Sequence, residues 1–322
     1  MKKLRLPHLF LLLAGLCGAC GSHTETADPA ETARQDSLAL KVALMPTLDC
    51  LPFYYADRCG IFKDLGLDIR LHTFNAQMDC DTAFARGHVD FSYTDLIRAA
   101  LLQSQGTGLY VIMQTDSYHE LLAARSKRVR HTRQLKEKMV AIARHSVTDL
   151  LLDTVVAQSG LDPSTVYHPQ INDIVLRYDM LRNATLDAAF LPEPYATQAR
   201  MDGNPGIYDS RRQHIRLMAF MATSQATQDK RKKEQLQRLF QGYDKAVEQI
   251  NRKENPDSIR RILLSYPVKA ETADSLKLPR YKPYEKPNGD GVDMALHFLA
   301  YRNLIPPQYT GDTLVNTQII QK

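Results

Sequence analysis

Two Asp-Cys pairs, Asp49-Cys50 and Asp79-Cys80, lie thirty residues apart, each between an apolar run of strand character and a segment of helix character. Other hydrogen-bonding side chains gather at equivalent places along the chain. Thr47 precedes the first pair, and Asn75 and Gln77 precede the second. Ser92, Tyr93 and Thr94 follow a third strand-like run, Arg144, Ser146 and Thr148 a later one, and Glu193 and Tyr195 another. In open α/β sheets solutes bind beyond the carboxyl ends of strands, where helix N-termini turn unpaired N–H groups outward. Placed there, these residues would line a ligand cleft, with Tyr54, Tyr55, Tyr93 and Tyr195 available as aromatic walls. Each Ser, Thr or Asp would serve equally as an ordinary helix N-cap. Glu193 differs, because Pro192 and Pro194 on either side hold its backbone extended.

Motifs for catalysis and for cofactors are missing. The chain has no GxSxG elbow, no GxxxxGK[ST] phosphate loop and no GxGxxG. Ser146 has His145 and Asp149 close by, but neighbours at a helix start do not face one another as a nucleophile and base must. The histidines show neither HxxxH nor CxxC-type spacing, so no metal and no cofactor is expected. Neither is an enzyme. For Cys50 and Cys80 three states stay open: a disulfide between adjacent strand tips, two free buried thiols, or a metal site.

The elements that must position these groups alternate. Strand patterns at 38–45, 67–74, 89–93, 109–115, 139–143 and 187–191 are interleaved with helix patterns at 51–58, 81–86, 94–105, 147–158 and 174–182. This order argues for α/β architecture with mainly parallel sheets. The last third changes to helical segments at 230–252, 256–265 and 292–303, with a Pro- and Tyr-rich stretch at 278–287. A weak internal echo links 84–100 with 180–199. In both, a helix ends in Arg, a residue able to take positive φ follows (Gly87, Asn183), and a short strand leads to a polar tip. Length (322 residues) suggests two lobes, and 44% hydrophobic with 24% charged residues describes a globular chain.

The first twenty residues stand apart. Lys2, Lys3 and Arg5 precede an apolar run over 9–16 that is too short to span a bilayer, then Gly18, Ala19 and Cys20. The pattern resembles a bacterial lipoprotein signal, which implies export, cleavage after residue 19 and acylation of Cys20. Cys17 stands where that motif usually carries an aliphatic residue. Residues 20–37 read as a lipidated flexible tether. The leader removes three cations and no acid, so the formal charge of +5 falls to +2. The basic run 229–238 opens a helix pattern and reads as a solvated face, so nucleic acid is not an expected partner.

The stretches LPFYYADRCGIFKDLGLDI, ARGHVDFSYTD, KEKMVAIARHSVTDLLLDTVVAQSGLD and LDAAFLPEPYATQA together resemble the type II periplasmic solute-binding proteins, in the branch serving nitrate, sulfonate and thiamine-precursor importers. The resemblance implies two doubly wound α/β lobes joined by a two-strand hinge and closing on a small-molecule ligand. Lobe 1 would comprise 38–122 plus 220–322 and lobe 2 123–219, with crossings near 121–125 and 217–222. It further implies an ABC permease and ATPase as partners, and a monomer held at a bacterial membrane, facing the periplasm or the exterior. The cleft loops carried over are 47–50, 75–79, 92–94, 144–148 and Glu193. Asp49, Asp79, Asp95 and Glu193 outnumber Arg144, so a cationic, amine-bearing heterocycle like a thiamine precursor is the expected guest. The competing readings are a sulfonate or nitrate binder, an enzyme of the same fold, and an interaction lipoprotein docking through 278–287.

Overall fold

A computed structural model describes residues 38–316. The expected signal peptide (1–19), the tether (20–37) and Cys20 lie outside the described residues. In chain order the first elements are β1 (Leu40–Leu44), α1 (Leu51–Arg58), α2 (Ile61–Asp64), β2 (Ile69–Thr73), α3 (Gln77–Ala85), β3 (Phe91–Asp95), α4 (Leu96–Ser104) and β4 (Leu109–Gln114). Next come β5 (His119–Ala123), β6 (Val140–Ala141), α5 (Val147–Gln158), α6 (Ile174–Arg182), β7 (Ala188–Pro192), α7 (Tyr195–Met201) and β8 (Gly206–Asp209). The chain then forms β9 (Met218–Thr223), α8 (Ser224–Gln228), α9 (Lys230–Asn251), α10 (Pro256–Ser265), α11 (Ala270–Ser275) and α12 (Gly289–Tyr301).

Local chemistry sets the ends. Pro52 occupies the first turn of α1, where its missing N–H costs nothing, and Gly60 supplies the left-handed residue (φ 77°) that follows the helix. Pro256 opens α10 in the same way. Asp95, Ser146, Asp173 and Asn288 cap α4, α5, α6 and α12 through side-chain oxygens. In the internal echo, Gly87 has φ 71° as expected, but Asn183 stays at −83° and the positive φ falls on Ala184 (56°).

Two sheets result, β2-β1-β3-β9-β4 and β6-β7-β5-β8. They are mixed rather than mainly parallel. β9 runs antiparallel between β3 and β4, and β5 antiparallel between β7 and β8. The chain passes between the sheets at residues 115–118 and returns at 210–217, so the expected boundaries at 122/123 and 219/220 fall inside β5 and β9. The two passages run side by side. Thr115 N donates to Met218 O at 2.9 Å, Gln114 Nε2 to Arg216 O at 2.6 Å and His119 N to Ser210 Oγ at 2.9 Å.

Buried rings anchor the first sheet. Phe91 stacks on Phe220 across β3 and β9 at 5.2 Å, and Phe53 of α1 lies 4.9 Å from both Phe220 and Tyr243 of α9. Contacts of this kind add about 0.5–1.5 kcal/mol each beyond the area they bury. They hold α1, the helix that directly follows the turn carrying Asp49, against the sheet.

Candidate functional site

A cavity of about 300 Å³ opens between the two sheets, within the size range of small-molecule sites. Its walls come from five places in the sequence: the tip of β1 (Leu48, Asp49), the outgoing passage and β5 (Asp116 to Glu120), the tip of β7 (Leu191, Glu193, Ala196), the segment after β8 (Asp209, Arg211), and Lys277, Leu278 and Pro279. Five carboxylates line it against two cations. Most are already paired. Arg200 holds Glu120 and Glu193, Arg211 holds Asp209, and Lys282 and Arg216 hold Asp116. Burial opposes ionisation of Asp116, but the hydrogen bonds from Lys282 and Arg216 outweigh it and keep its carboxyl below the usual range. Burial raises Glu120 despite Arg200. His119 is driven down to about 3 by burial, with the Arg177 charge adding to the effect, so the cavity wall there is a neutral imidazole.

Asp49 is the exception. It sits in a short 3-10 turn (Leu48–Cys50) and receives the Tyr93 phenol, with the Ser117 and Thr115 hydroxyls near it. Among the described residues no Lys or Arg pairs with it. Burial therefore dominates and pushes its carboxyl up to about 6.

Several of the remaining sequence candidates sit where the loops of one sheet meet those of the other. Leu48 N donates to Glu193 O at 3.1 Å, Ile174 N to Asn75 O at 3.0 Å, Arg98 Nη1 to Arg144 O at 3.3 Å, and Val147 N to Asp95 Oδ2 at 3.3 Å. Ser92 is fully buried, with its hydroxyl turned to Tyr93 O, and Thr94 lies between Gln77 Nε2 and Asp81 Oδ1, 3.3 Å from each. Ser146 and Thr148 bond each other and the Ala143 peptide groups. Glu193 Oε2 accepts Thr197 N at 2.9 Å, reaching the first turn of α7 from two residues before the helix. Thr47 Oγ1 and the Tyr195 hydroxyl are buried at facing tips and have no hydrogen-bond partner among the described residues. Arg144 keeps its side chain exposed. Asp79 is exposed too, in a separate depression with His72, Phe74 and His88, away from the cavity. Tyr55 turns its hydroxyl to Glu254 O and belongs to the core.

From Thr47, at the tip of β1, to residue 258 in α10, the sequence matches the profile of the NMT1/THI5-like family. The chain belongs to that family. A search of curated protein sequences finds no match. Among solved structures, the ligand-binding component of an ABC-type import system from Staphylococcus aureus aligns with TM-score 0.73 at 14% identity, over 87% of this chain and 97% of that one. The periplasmic aliphatic sulphonate binding protein of Escherichia coli gives 0.71 at 15% identity, over 88% and 94%. The periplasmic nitrate-binding protein of Synechocystis PCC 6803 gives 0.70 at 11%, over 84% and 83%. At such identities the likeness is one of fold, and this NMT1/THI5-like chain has the fold of the periplasmic binding proteins.

Among the described residues of this NMT1/THI5-like chain, Cys50, Cys59 and Cys80 are free thiols. Met45 N lies 3.5 Å from Cys50 Sγ, and Cys80 Sγ lies 3.9 Å from Leu44 O. That N–H and that carbonyl belong to one peptide unit, and in a trans peptide they point in opposite directions. The two sulfurs therefore flank the Leu44–Met45 peptide instead of facing each other. The repeated Asp-Cys pair shares its thiols, then, and not its carboxylates. Sequence reasoning also missed Asp116, Glu120, Asp209, Arg211 and 277–279. The Pro- and Tyr-rich run was the one available signal: Tyr281 hydroxyl donates to Leu48 O at 2.9 Å and Tyr284 hydroxyl to Ile112 O at 2.9 Å, tying that segment to the tip of β1 and to β4.

Proposed function

We propose that this NMT1/THI5-like chain is the solute-binding component of an ABC importer, exported and anchored by a lipid on Cys20. In this reading it works as a monomer that hands its guest to a permease and ATPase. The parts of the chain around the two sheets act as lobes, hinged at 115–118 and 210–217, and close on a small organic solute. The guest carries an amine or another cationic group, as a thiamine-precursor-like heterocycle does, and it is bound without being turned over. Family membership and the shared fold support the transport role.

One observation carries the choice of guest: Asp49 brings a carboxylate to the cavity, and among the described residues no Lys or Arg pairs with it. A ligand ammonium there would gain a charge-assisted hydrogen bond, about twice as strong as a neutral one. Tyr118, which lines the same cavity as Asp49, suits a flat ring attached to that amine. Thermal shift of the purified chain against aminopyrimidines, taurine and nitrate tests the proposal. Stabilisation by the aminopyrimidines is expected, and a response to taurine or nitrate alone would reassign the chain to anions. Chemical conversion of a bound aminopyrimidine would make it an enzyme instead.

A further inference from the structure

The basic run at 229–238 opens α9, with five cations against two acids. The first four helical residues, Lys230, Arg231, Lys232 and Lys233, are all cationic, in the turn where the aligned peptide dipoles favour acids. Asp229 caps the helix by accepting Lys232 N at 2.8 Å. Lys230 and Arg231 are exposed and Lys233 is half-buried, and among the described residues none of the three has an ion-pair partner. Their charges are not used within the fold.

Lys232 shows where this turn lies. Its Nζ donates to Ala39 O at 2.6 Å and to Asp90 Oδ2 at 2.7 Å, just before β1 and β3 begin. Arg238 Nη1 donates to Gly66 O at 2.8 Å, ahead of β2. β1, β2 and β3 are parallel, so the basic run lies along their amino ends, and Asp49 with its cavity lies beyond the carboxyl end of β1. The same place is where the chain enters the fold, since Ala39 follows Leu38, the first described residue. With a lipid on Cys20, residues 20–37 allow that entry point to stand at most about 60 Å from the bilayer.

We propose that the first turn of α9 is a docking surface for anionic lipid headgroups, which seats the protein on its membrane with the cavity turned away from the bilayer. The inference rests on the lipid-anchor reading of Cys20 and not on the identity of the guest. Each Lys or Arg near an anionic bilayer strengthens the attraction about fivefold, so Lys230, Arg231 and Lys233 together supply on the order of a hundredfold. Asp229 and Glu234 leave the run net positive (5 − 2 = 3). Anchoring makes the contact intramolecular, and a modest affinity then suffices. In the docked orientation the cavity faces the solution from which solute arrives.

The acylated wild-type chain and the triple variant Lys230→Gln, Arg231→Gln, Lys233→Gln are placed on supported bilayers of phosphatidylcholine, alone or mixed with phosphatidylglycerol. Neutron reflectometry reads the gap between headgroups and protein. Removing cations from a helix N-terminus does not weaken the helix, and circular dichroism establishes folding. Wild type should lie against the mixed bilayer and stand off from the neutral one, whereas the variant should stand off from both. In ~1 M salt, where screening acts beyond about 3 Å, wild type should stand off too. On mixed vesicles, amine-reactive labelling of Lys230 and Lys233 should slow severalfold, with Lys277 at the cavity unchanged. Equal gaps for wild type and variant would overturn the proposal, as would protection of Lys277 in place of Lys230 and Lys233. Intact mass of the mature chain reports separately on Cys20. An unacylated chain would refute the anchor; its flotation with mixed but not neutral vesicles would leave the docking surface standing, and no flotation would remove both.

Discussion

The Asp49 carboxylate takes its closest hydrogen bond from the phenol of Tyr93, a neutral donor, and among the described residues it pairs with no Lys or Arg. Asp116, in the same cavity, has both Lys282 and Arg216. Two carboxylates at one site are thereby set to opposite conditions, one satisfied by the protein and one awaiting a counter-charge.

Ligand affinity should follow the ionisation of Asp49. Below about 6 a cationic guest must displace a proton, so affinity should rise tenfold per pH unit and level off above that value. The groups around Asp49 are Tyr93, Thr115, Asp116, Ser117, Tyr243 and Tyr281. Asp116 stays ionised through this range, and the phenols stay neutral because burial raises them all. Calorimetric titrations between about pH 5 and about pH 8 would record the curve, and a flat profile would exclude Asp49 from binding.

Stability of the ligand-free chain should respond to the same group with a definite sign. A carboxyl raised from 3.8 to about 6 favours the folded state fully when protonated, below 3.8, and loses that contribution as pH rises through about 6. Asp95, raised by burial to about 7, behaves alike over a slightly higher range. His119 works in the other direction: buried and neutral, it costs stability as pH falls below 6.5. The melting difference between Asp49→Asn and wild type isolates Asp49. The variant should gain on the wild type as pH climbs from about 4 to about 6, and a difference independent of pH would show that its carboxyl is not raised.

Cys50 and Cys80 should resist both reagents and oxidants. Both thiols are fully buried, and burial raises each far above the ordinary cysteine range, so little reactive thiolate forms. Cys59, only partly buried, should react first with a thiol reagent under native conditions. Intact mass of the oxidised chain should show no loss of two hydrogens between Cys50 and Cys80. A bridge between them would require the Leu44–Met45 peptide to move.

Two exchanges between glycine and alanine should have opposite outcomes from those a helix-propensity scale suggests. Ala184 holds φ 56°, a left-handed conformation costing an L-residue about 1–2 kcal/mol, against the ~0.4–1 kcal/mol that glycine's extra chain entropy costs. Ala184→Gly should therefore raise stability by up to about 1 kcal/mol. Gly242 lies inside α9, where alanine normally gains about 1 kcal/mol, but a Cβ there would meet the buried Phe62 ring at 2.5 Å. Overpacking of that kind costs about 1–3 kcal/mol, so Gly242→Ala should destabilise. Urea denaturation of the two variants checks both signs.

Much of the framework was legible because local rules and tertiary packing agree. Pro52 and Pro256 mark helix starts, and α1, α5, α6 and α10 lie where the sequence placed them. β5 and β9 were not recognised as sheet strands, since a short run buried on both faces has no alternating pattern to distinguish a strand from a crossing. Asp79 was expected to mirror Asp49 because both precede Cys. The helix explains the difference. α3 begins at Gln77, so Asp79 already lies on helical backbone, and successive residues turn by about 100°, which sends Cys80 inward and Asp79 to solvent. Asp49 instead precedes its helix in a tight turn. The cavity's other walls come from segments far apart in sequence, where no periodicity announces their convergence.

Calorimetric titration of an aminopyrimidine into wild type and Asp49→Asn, with taurine as the control solute, tests most directly whether Asp49 is the counter-charge of the guest. Loss of a charge-assisted hydrogen bond should weaken aminopyrimidine binding by about 10- to 100-fold, corresponding to ~1.5–3 kcal/mol, without creating affinity for taurine. Equal binding by the two proteins, or a wild type that takes up taurine and not the aminopyrimidine, would contradict it.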